Sequence, residues 1–192
     1  MRFPKIKTQR LLLREIKESD IPYVFDVFSR HEVTEHYDCY PFIDKSQAKK
    51  WVDWQIGLYD ENGDRGYRWA IATIENPGQL IGSCGFHSVN ENSKSFDVGY
   101  ELHPDFWGKG YASEALKAII THCFANDFPF KVNRITATTD VVSPKSISVL
   151  SKLGFKEEGI LREYGYWKDR FNDVRLFSLL RKEWALNKEL WV

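Results

Sequence analysis

The stretch that decides the fold reads Gly99-Tyr-Glu-Leu-His-Pro-Asp-Phe-Trp-Gly-Lys-Gly-Tyr-Ala-Ser-Glu-Ala115. It begins inside a strand-like run, Ser95 to Leu102, and His103-Pro104 ends the alternation. Beyond Gly110, apolar residues recur every three or four positions, as is typical of an amphipathic helix; they are Ala112, Ala115, Leu116, Ile119, Ile120, Cys123 and Phe124. The stretch therefore joins a strand to a helix through a turn that contains Gly108 and Gly110.

A glycine turn in this position can bind a phosphate group. The N-terminus of a helix presents free N–H groups and the positive end of the helix dipole, and glycine has no Cβ to keep a ligand away. A Gly-x-Gly pair alone also recurs by chance in ordinary strand-to-helix turns. The Walker motif of nucleoside triphosphatases is absent, because neither Ser nor Thr follows Gly108-Lys109.

The rest of the chain predicts a mixed set of strands and helices. Upstream we predict a strand at Thr8–Glu15 and two helices, one after a cap at Ser19 or Asp20 and one from Asp44 to Tyr59. Two further strands are predicted at Arg68–Ile74 and Leu80–Phe86. Downstream we predict a strand at Arg134–Thr138 and a helix from an N-cap at Ser143 to Gly154. A hairpin of Gly159–Trp167 and Asp173–Leu180 follows. This order predicts a mixed α/β (α+β) fold with a mostly antiparallel sheet of about seven strands and helices on both faces. One parallel crossover is expected between Tyr100 and Ile135.

Composition limits the classes of function. The 192 residues are 43% apolar and contain no repeat or linker, so residues 1–192 are interpreted as a single domain. A formal net charge of zero gives no basic surface for nucleic acid. Apolar runs are too short for a membrane span, and the start lacks the apolar segment of a signal peptide. The three cysteines and five histidines show no metal-ligand spacing, so we expect no metal, reduced thiols and a cytoplasmic location.

Five segments, in order, resemble the GCN5-related N-acetyltransferase (GNAT) superfamily, and most closely its ribosomal-protein (RimJ/RimL-like) branch. They are Thr8–Arg14, Leu80–Ser83, Tyr100–Ala115, Ser146–Phe155 and the hairpin from Glu158 to Asp173, which together span nearly the whole chain. The resemblance implies a GNAT fold and an enzyme that transfers an acetyl group from acetyl-CoA to a primary amine. Two positions depart from the pattern: Asp105 replaces a Gln or Arg, and Ser143 replaces an Asn that many members have.

The resemblance also implies where acetyl-CoA binds. The pyrophosphate would lie on the amides of the glycine turn, and the pantetheine would run beside the preceding strand like an added strand. The residues implied to bind the cofactor are Leu102, His103, Trp107, Gly108, Lys109, Gly110, Tyr111, Ala112 and Ser143. A backbone N–H near Leu102 would stabilise the oxyanion, and Ser146 would protonate or hydrogen-bond the CoA sulfur.

The acceptor amine has to lose a proton before it attacks the thioester. Glu101, on the strand beside the expected thioester, is the base that we predict; Asp97, His87 and Glu35 are further candidates, and a chain of waters can replace a single base. The acceptor pocket is expected between the early helices and the final hairpin, with Tyr37, Trp51 and Tyr164 as substrate-binding residues.

Three functions stay open at this point. The first is an acetyltransferase that acts on a protein N-terminus, and the second acts on a small amine such as a polyamine, an amino acid or an aminoglycoside. The third is a CoA-binding module without turnover. Acetyl-CoA and an amine acceptor are the expected partners, nucleic acid and membrane are not, and a homodimer is compatible with this branch of the family.

Overall fold

The computed structural model describes residues 4–59, 66–187, 189 and 191. The strands are β1 (Ile6–Lys7), β2 (Leu11–Glu15), β3 (Gly66–Thr73), β4 (Gly82–Asn90), β5 (Ser95–Leu102), β6 (Arg134–Asp140), β7 (Lys156–Trp167) and β8 (Arg170–Leu180). The helices are α1 (Ile21–Phe28), α2 (His31–Thr34), α3 (Lys45–Tyr59), α4 (Tyr111–Ala125), α5 (Pro144–Lys152) and α6 (Arg181–Leu186). All eight strands form one sheet in the order β1-β2-β3-β4-β5-β6-β8-β7.

The predicted mixed fold is confirmed. Neighbouring strands pair antiparallel except β5 and β6, which are parallel and are connected through α4, as the expected crossover requires. The sheet has eight strands rather than about seven, because Ile6–Lys7 pairs with β2 as a short edge strand. Two residues are too few to show the alternation by which a strand is recognised in a sequence.

The helices cover both faces of the sheet, and each face has its own core. Helices α4 and α5 pack against one face, where the even-numbered residues Phe96, Val98 and Leu102 of β5 are buried. Helices α1 and α3 pack against the other face, around Phe28 and Val52. Because side chains alternate along a strand, the odd-numbered residues of β5 lie on this second face. We refer to the two sides as the α4/α5 face and the α1/α3 face.

Strands β5 and β6 pair only where they begin. The register joins Ser95–Asp97 to Arg134–Thr136, and no further pairs join these two strands within the described ranges. On the other side of β5, the His103 N–H donates to the carbonyl of Ile81, the residue before β4, at 2.8 Å. The alternation of an antiparallel ladder therefore directs the main-chain groups of Leu102 and Tyr100 away from β4. A wedge lined by main-chain donors and acceptors separates the two strands, and we call it the β5/β6 opening.

The predicted helix caps at Asp20 and Ser143 are wrong in their side-chain contacts. Asp20 occupies the N-cap position of α1, but its carboxylate makes no capping bond. It accepts two hydrogen bonds of 2.7 Å from the buried guanidinium of Arg14 and one from the N–H of Lys17. A buried guanidinium needs a carboxylate partner. The Asp20 oxygens therefore bind Arg14 and do not accept hydrogen bonds from the N–H groups at the start of α1. Ser143 likewise precedes α5 without a side-chain capping bond.

Candidate active site

The glycine turn before α4 has the geometry of an anion-binding site. Gly108 and Gly110 have φ angles of +73° and +80°, a left-handed conformation that glycine adopts without strain. A Cβ added to Gly108 would meet no atom within 4 Å, so the space next to the turn is open. The first main-chain N–H bonded within the helix is that of Glu114, to the Gly110 carbonyl at 3.0 Å. The preceding N–H groups are donors for an anion at the positive end of a 15-residue helix.

Arg10 holds the glycine turn from the loop between β1 and β2. Its guanidinium donates to the Lys109 carbonyl at 2.8 Å, forms a 2.7 Å ion pair with Glu114 and lies 4.6 Å from the centre of the Tyr111 ring. Thr8 adds a hydrogen bond of 2.6 Å to the Glu114 carboxylate. Partial burial acts to raise the pKa of Glu114, but the bonds from Thr8 and Arg10 outweigh it, and this pKa lies below its ordinary value. The sequence pattern did not indicate that Thr8 and Arg10 support the site.

Aromatic rings and lysines flank the turn. The Trp107 indole N–H donates to the Leu102 carbonyl at 2.8 Å and so ties the turn to the end of β5. The Lys145 ammonium lies 3.9 Å from the centre of the Trp107 ring, and the Lys109 ammonium lies 5.3 Å from that of Phe106. Both ammonium groups can add charge attraction to a bound anion.

The remaining residues implied to bind the cofactor lie around the same turn. His103 is buried, and its Nδ1 accepts a hydrogen bond of 3.3 Å from the N–H of Asp105. Tyr111 and Ala112 begin α4 and are half-buried against the α4/α5 core. Ser143 is buried at the start of α5. The departure at Asp105 therefore leaves the main-chain donors of the turn in place.

Two unpartnered hydroxyl groups lie on the strands that border the β5/β6 opening. Tyr100 on β5 and Thr139 on β6 each have a buried hydroxyl oxygen without a hydrogen-bond partner in the part of the chain that the structure describes. Both side chains belong to the α4/α5 face by strand alternation. A buried hydroxyl without a partner costs free energy, and a polar ligand in the opening would supply a partner. These residues, with the glycine turn, fit the amide-containing arm and the diphosphate of acetyl-CoA.

Ser146, the predicted donor to the CoA sulfur, lies close to the Tyr100 hydroxyl. Burial raises the pKa of Tyr100 and the neighbouring Ser146 lowers it, with a result of about 12. The two hydroxyls do not meet the geometry of a hydrogen bond. Tyr100 was not among the predicted site residues, although strand alternation places it on the same face as Leu102.

On the α1/α3 face, Glu101 lies in a buried polar cluster rather than beside the opening as a free carboxylate. Its oxygens accept hydrogen bonds from Arg68 on β3, Ser83 on β4 and Tyr37, the last at 2.9 Å. Burial would lower the pKa of Arg68, but the Glu101 carboxylate raises it above its ordinary value. The Arg68 side chain is itself only 11% exposed and needs a counter-charge, which explains why the carboxylate is engaged. In the sequence, Arg68 and Glu101 are opposite charges within two strand-like apolar runs, and this pattern could have indicated the pair.

Next to Glu101 on the same face, Gly99 leaves the main chain of β5 without a side chain, and we call the place between His87, Arg68 and Glu101 the well. A Cβ added to Gly99 would lie 3.6 Å from Nε2 of His87 and 3.7 Å from Nη1 of Arg68. Nδ1 of His87 is 3.0 Å from the hydroxyl of Ser88, which leaves Nε2 on the side of the well. An imidazole nitrogen, a guanidinium and a carboxylate therefore surround a bare piece of β5.

The pKa of His87 lies below its ordinary value. Burial is the largest cause and lowers it; the carboxylate of Asp97 raises it, the charge of Arg68 lowers it, and Asp38 raises it slightly. Asp97 itself accepts a hydrogen bond from Thr136 on β6. A lowered pKa keeps the imidazole neutral near neutral pH, so it can accept a proton there.

Two of the three residues predicted to bind the acceptor come together beside the well. The rings of Tyr37 and Trp51 both pack on Phe28, with centroid distances of 5.7 and 5.4 Å. Arg68 lies 5.7 Å from the centre of the Trp51 ring. Burial raises the pKa of Tyr37, and the charge of Glu101 raises it further. These aromatic rings form one wall of the well.

Tyr164, the third predicted acceptor residue, lies elsewhere. It is 52% exposed on an irregular part of β7, where it lines a surface depression with Glu163 and Asp173. In the described ranges no ring contact or hydrogen bond joins it to Tyr37. The tip of the β7–β8 hairpin does reach the early helices, because Lys168 donates to the Thr34 carbonyl at 2.6 Å. The hairpin thus closes one end of the α1/α3 face through its tip rather than through Tyr164.

Comparisons of the sequence with known proteins agree with this geometry. The family model described as an acetyltransferase (GNAT) domain matches residues 10–156. The uncharacterized N-acetyltransferase p20 of Bacillus licheniformis is 35% identical over 178 residues, which cover 93% of this chain and 97% of that protein. The ribosomal-protein-serine acetyltransferase of Escherichia coli (strain K12) is 30% identical over 134 residues, 70% of each chain.

The fold is shared with a solved structure that contains the cofactor. The RimL ribosomal L7/L12 alpha-N-protein acetyltransferase, in complex with coenzyme A, superposes with a TM-score of 0.79 at 21% sequence identity, over 94% of this chain and 99% of that chain. The family match covers the glycine turn, the β5/β6 opening and the start of α5. The chain therefore belongs to the GNAT family and is an acetyl-CoA-dependent N-acetyltransferase.

Proposed function

We propose that this protein acetylates the N-terminal amine of a protein, an acceptor of the ribosomal-protein type. The observation that carries the proposal is the β5/β6 opening, which has the phosphate-binding turn and unpartnered hydroxyls on one face and a polar well on the other. Acetyl-CoA and the amine can thus approach the same gap from opposite faces. The similarity to the ribosomal-protein-serine acetyltransferase supports a peptide acceptor.

In the proposed reaction, the amine nitrogen forms a bond to the acetyl carbon, the carbon–sulfur bond breaks, and the sulfur leaves as a thiolate that gains a proton. The amides from Gly108 to Ala112 hold the diphosphate, with Lys109 and Lys145 beside them. The N–H of Leu102, which is directed into the opening, donates to the oxyanion. Ser146 donates a hydrogen bond to the sulfur.

Two side chains on the α1/α3 face compete for the proton of the amine. Glu101 is the base that the sequence predicts, but three donors already engage its carboxylate, which weakens it as a proton acceptor. Nε2 of His87 carries no hydrogen bond within the described ranges and borders the well at Gly99. These contacts support His87 as the base, with Glu101 as the group that positions Arg68 and Tyr37.

The second candidate acceptor is a small amine. The closed end of the α1/α3 face favours it, because the Lys168 contact limits the room for a long chain there. We further propose a single domain over residues 1–192 and a metal-free reaction in the cytoplasm, which composition and residue spacing favour, and a homodimer, which the family resemblance favours. In the described part of the chain, no helix is long and apolar enough to cross a bilayer.

The test is turnover with a panel of acceptors. Purified protein with acetyl-CoA is offered peptides with free N-termini, the same peptides with blocked N-termini, polyamines, amino acids and aminoglycosides. CoA release and the mass of the product are measured. We expect acetylation of peptides with a free N-terminus and none of the blocked ones. Turnover with small amines alone would support the second candidate, and tight CoA binding without any turnover would contradict both.

A further inference from the structure

The Tyr100 hydroxyl is a buried polar group that the fold itself does not use. Its ring packs against the α4/α5 core, and its oxygen has no hydrogen-bond partner among the described residues. Phenylalanine would fill the same space without the cost of an unpartnered hydroxyl. Packing therefore explains the ring but not the oxygen, which points to a partner that is not part of the chain.

The position of this hydroxyl indicates which partner it meets. Tyr100 lies on the unpaired part of β5, and its side chain is directed to the α4/α5 face, where the cofactor turn also lies. Ser146, in the first turn of α5, is its polar neighbour. Thr139 carries a second unpartnered hydroxyl on the other strand of the opening. The hydroxyls of Tyr100 on β5 and Ser146 on α5 thus lie close together beside the opening.

We propose that the Tyr100 hydroxyl donates a hydrogen bond to the CoA sulfur as the carbon–sulfur bond breaks. This inference rests on the acetyl transfer proposed above and adds to it a donor on β5. With a pKa of about 12, against roughly 8.5 for a thiol, the phenol keeps its proton and acts as a hydrogen-bond donor. The thiolate takes its proton from water, so the reaction balances without a tyrosinate. A hydrogen bond to an anion in a site poor in water is a strong one.

The first test is the pKa of the bound CoA thiol, which needs no acceptor. CoA is bound to the wild type and to Tyr100→Phe, and the ultraviolet absorbance of the thiolate is followed against pH. A donor to the sulfur stabilises the thiolate, so the variant should raise this pKa by about one unit. Ser146→Ala is measured in parallel, because Ser146 is the other proposed donor to the sulfur. An identical thiol pKa in the wild type and Tyr100→Phe would overturn the proposal.

The second test combines kinetics with stability. In Tyr100→Phe, kcat should fall about 10- to 100-fold, the KM for acetyl-CoA should change little, and the urea midpoint should stay equal or rise. The loss of kcat should shrink with the acetyl thioester of an aromatic thiol, because that thiolate leaves without help. An undiminished kcat, or the same loss with both thioesters, would contradict the proposal.

A matched control distinguishes the effect of the Tyr100 hydroxyl's position on kcat from the effect of its burial on stability. Thr121 also has a buried, unpartnered hydroxyl, but it lies on α4 about 15 Å along the helix from Tyr111. Thr121→Val should raise the urea midpoint as Tyr100→Phe does, yet leave kcat unchanged. A wild type that neither binds CoA nor transfers acetyl would refute the proposed function. An active wild type with an equally active Tyr100→Phe would refute only this inference.

Discussion

Charge pairing at single residues decides the chemistry of the α1/α3 face. Arg68 is buried and draws the Glu101 carboxylate into a cluster with Ser83 and Tyr37. A carboxylate with three donors is well suited to orient its neighbours and poorly suited to take a proton. Among the residues that the structure describes, Nε2 of His87 has no hydrogen-bond partner, and it lies at the edge of the same face. The two side chains can be separated by their pH dependence.

His87→Asn should lower kcat by about 100-fold and remove the acid limb of the pH–rate profile. In the wild type the base must be neutral, so the rate falls as the pH drops through the pKa of His87, which lies below its ordinary value. The profile of kcat/KM is measured for His87→Asn and Glu101→Gln. Glu101→Gln should keep the limb while destabilising the fold, because Arg68 loses its counter-charge. A limb that survives in His87→Asn and disappears in Glu101→Gln would make Glu101 the base.

Residue roles could be predicted from the sequence only where a motif carries them. Ser146 and the glycines lie in segments that resemble the family, and the structure puts them around one opening. Tyr100 and Arg68 lie in strands that look like plain core. Their importance depends on which strands are neighbours and where the pairing ends, and these are properties of the register between distant segments.

At the scale of elements, the loop between β1 and β2 braces the start of α4. Arg10 and Thr8 bind Glu114, and Arg10 also binds the main chain of the glycine turn at Lys109. The donors of the turn have to be oriented before an anion arrives, since an oriented site avoids the entropy cost of ordering. The first matched segment of the sequence is therefore a support for the cofactor site.

Arg10→Ala should weaken CoA binding about tenfold and raise the KM for acetyl-CoA similarly, with kcat nearly unchanged. The loss of the bonds to Glu114 and Lys109 leaves the turn less ordered, whereas the chemistry on the opposite face is untouched. Binding is measured by calorimetry and compared with Gln9→Ala, an exposed neighbour in the same loop. Normal CoA affinity in Arg10→Ala would show that the turn needs no brace.

The buried pair of Arg14 and Asp20 ties α1 to β2. Both side chains are almost fully buried, with exposed fractions of 8% and 0%. Asp20→Asn should lower the free energy of unfolding by about 3–5 kcal/mol, because it leaves a buried guanidinium without its counter-charge. Asp53→Asn breaks the exposed pair with Lys49 on α3 and should hardly move the urea midpoint. Equal effects in the two variants would contradict the importance assigned to burial.

Helices and strands could be located from periodicity, but their ends and contacts could not all be predicted. The helix after Gly110 and the hairpin near the C-terminus follow local patterns. The caps at Asp20 and Ser143 were predicted from local preference, and the Asp20 carboxylate instead binds the guanidinium of Arg14 on β2. Edge strand β1 escaped prediction because it owes its existence to its partner β2.

At the scale of the whole molecule, one gap in the sheet organises the site. The crossover through α4 aligns β5 and β6 in parallel, and the pairing ends after Asp97 and Thr136. The order of elements predicts the crossover, whereas the point at which the two strands separate is visible only in their register. The glycine turn lies at the mouth of this gap. Our central proposal is that this turn binds the diphosphate of CoA.

The most direct measurement of that claim is the affinity for CoA of the wild type, Gly108→Asp and Gly108→Asn. Both substitutions meet the same backbone, with φ at +73° and open space at the Cβ, so they differ in charge alone. The carboxylate repels a diphosphate at close range, and calorimetry should show binding at least about tenfold weaker for Gly108→Asp than for Gly108→Asn. Equal CoA affinity in the two variants and the wild type would contradict the account.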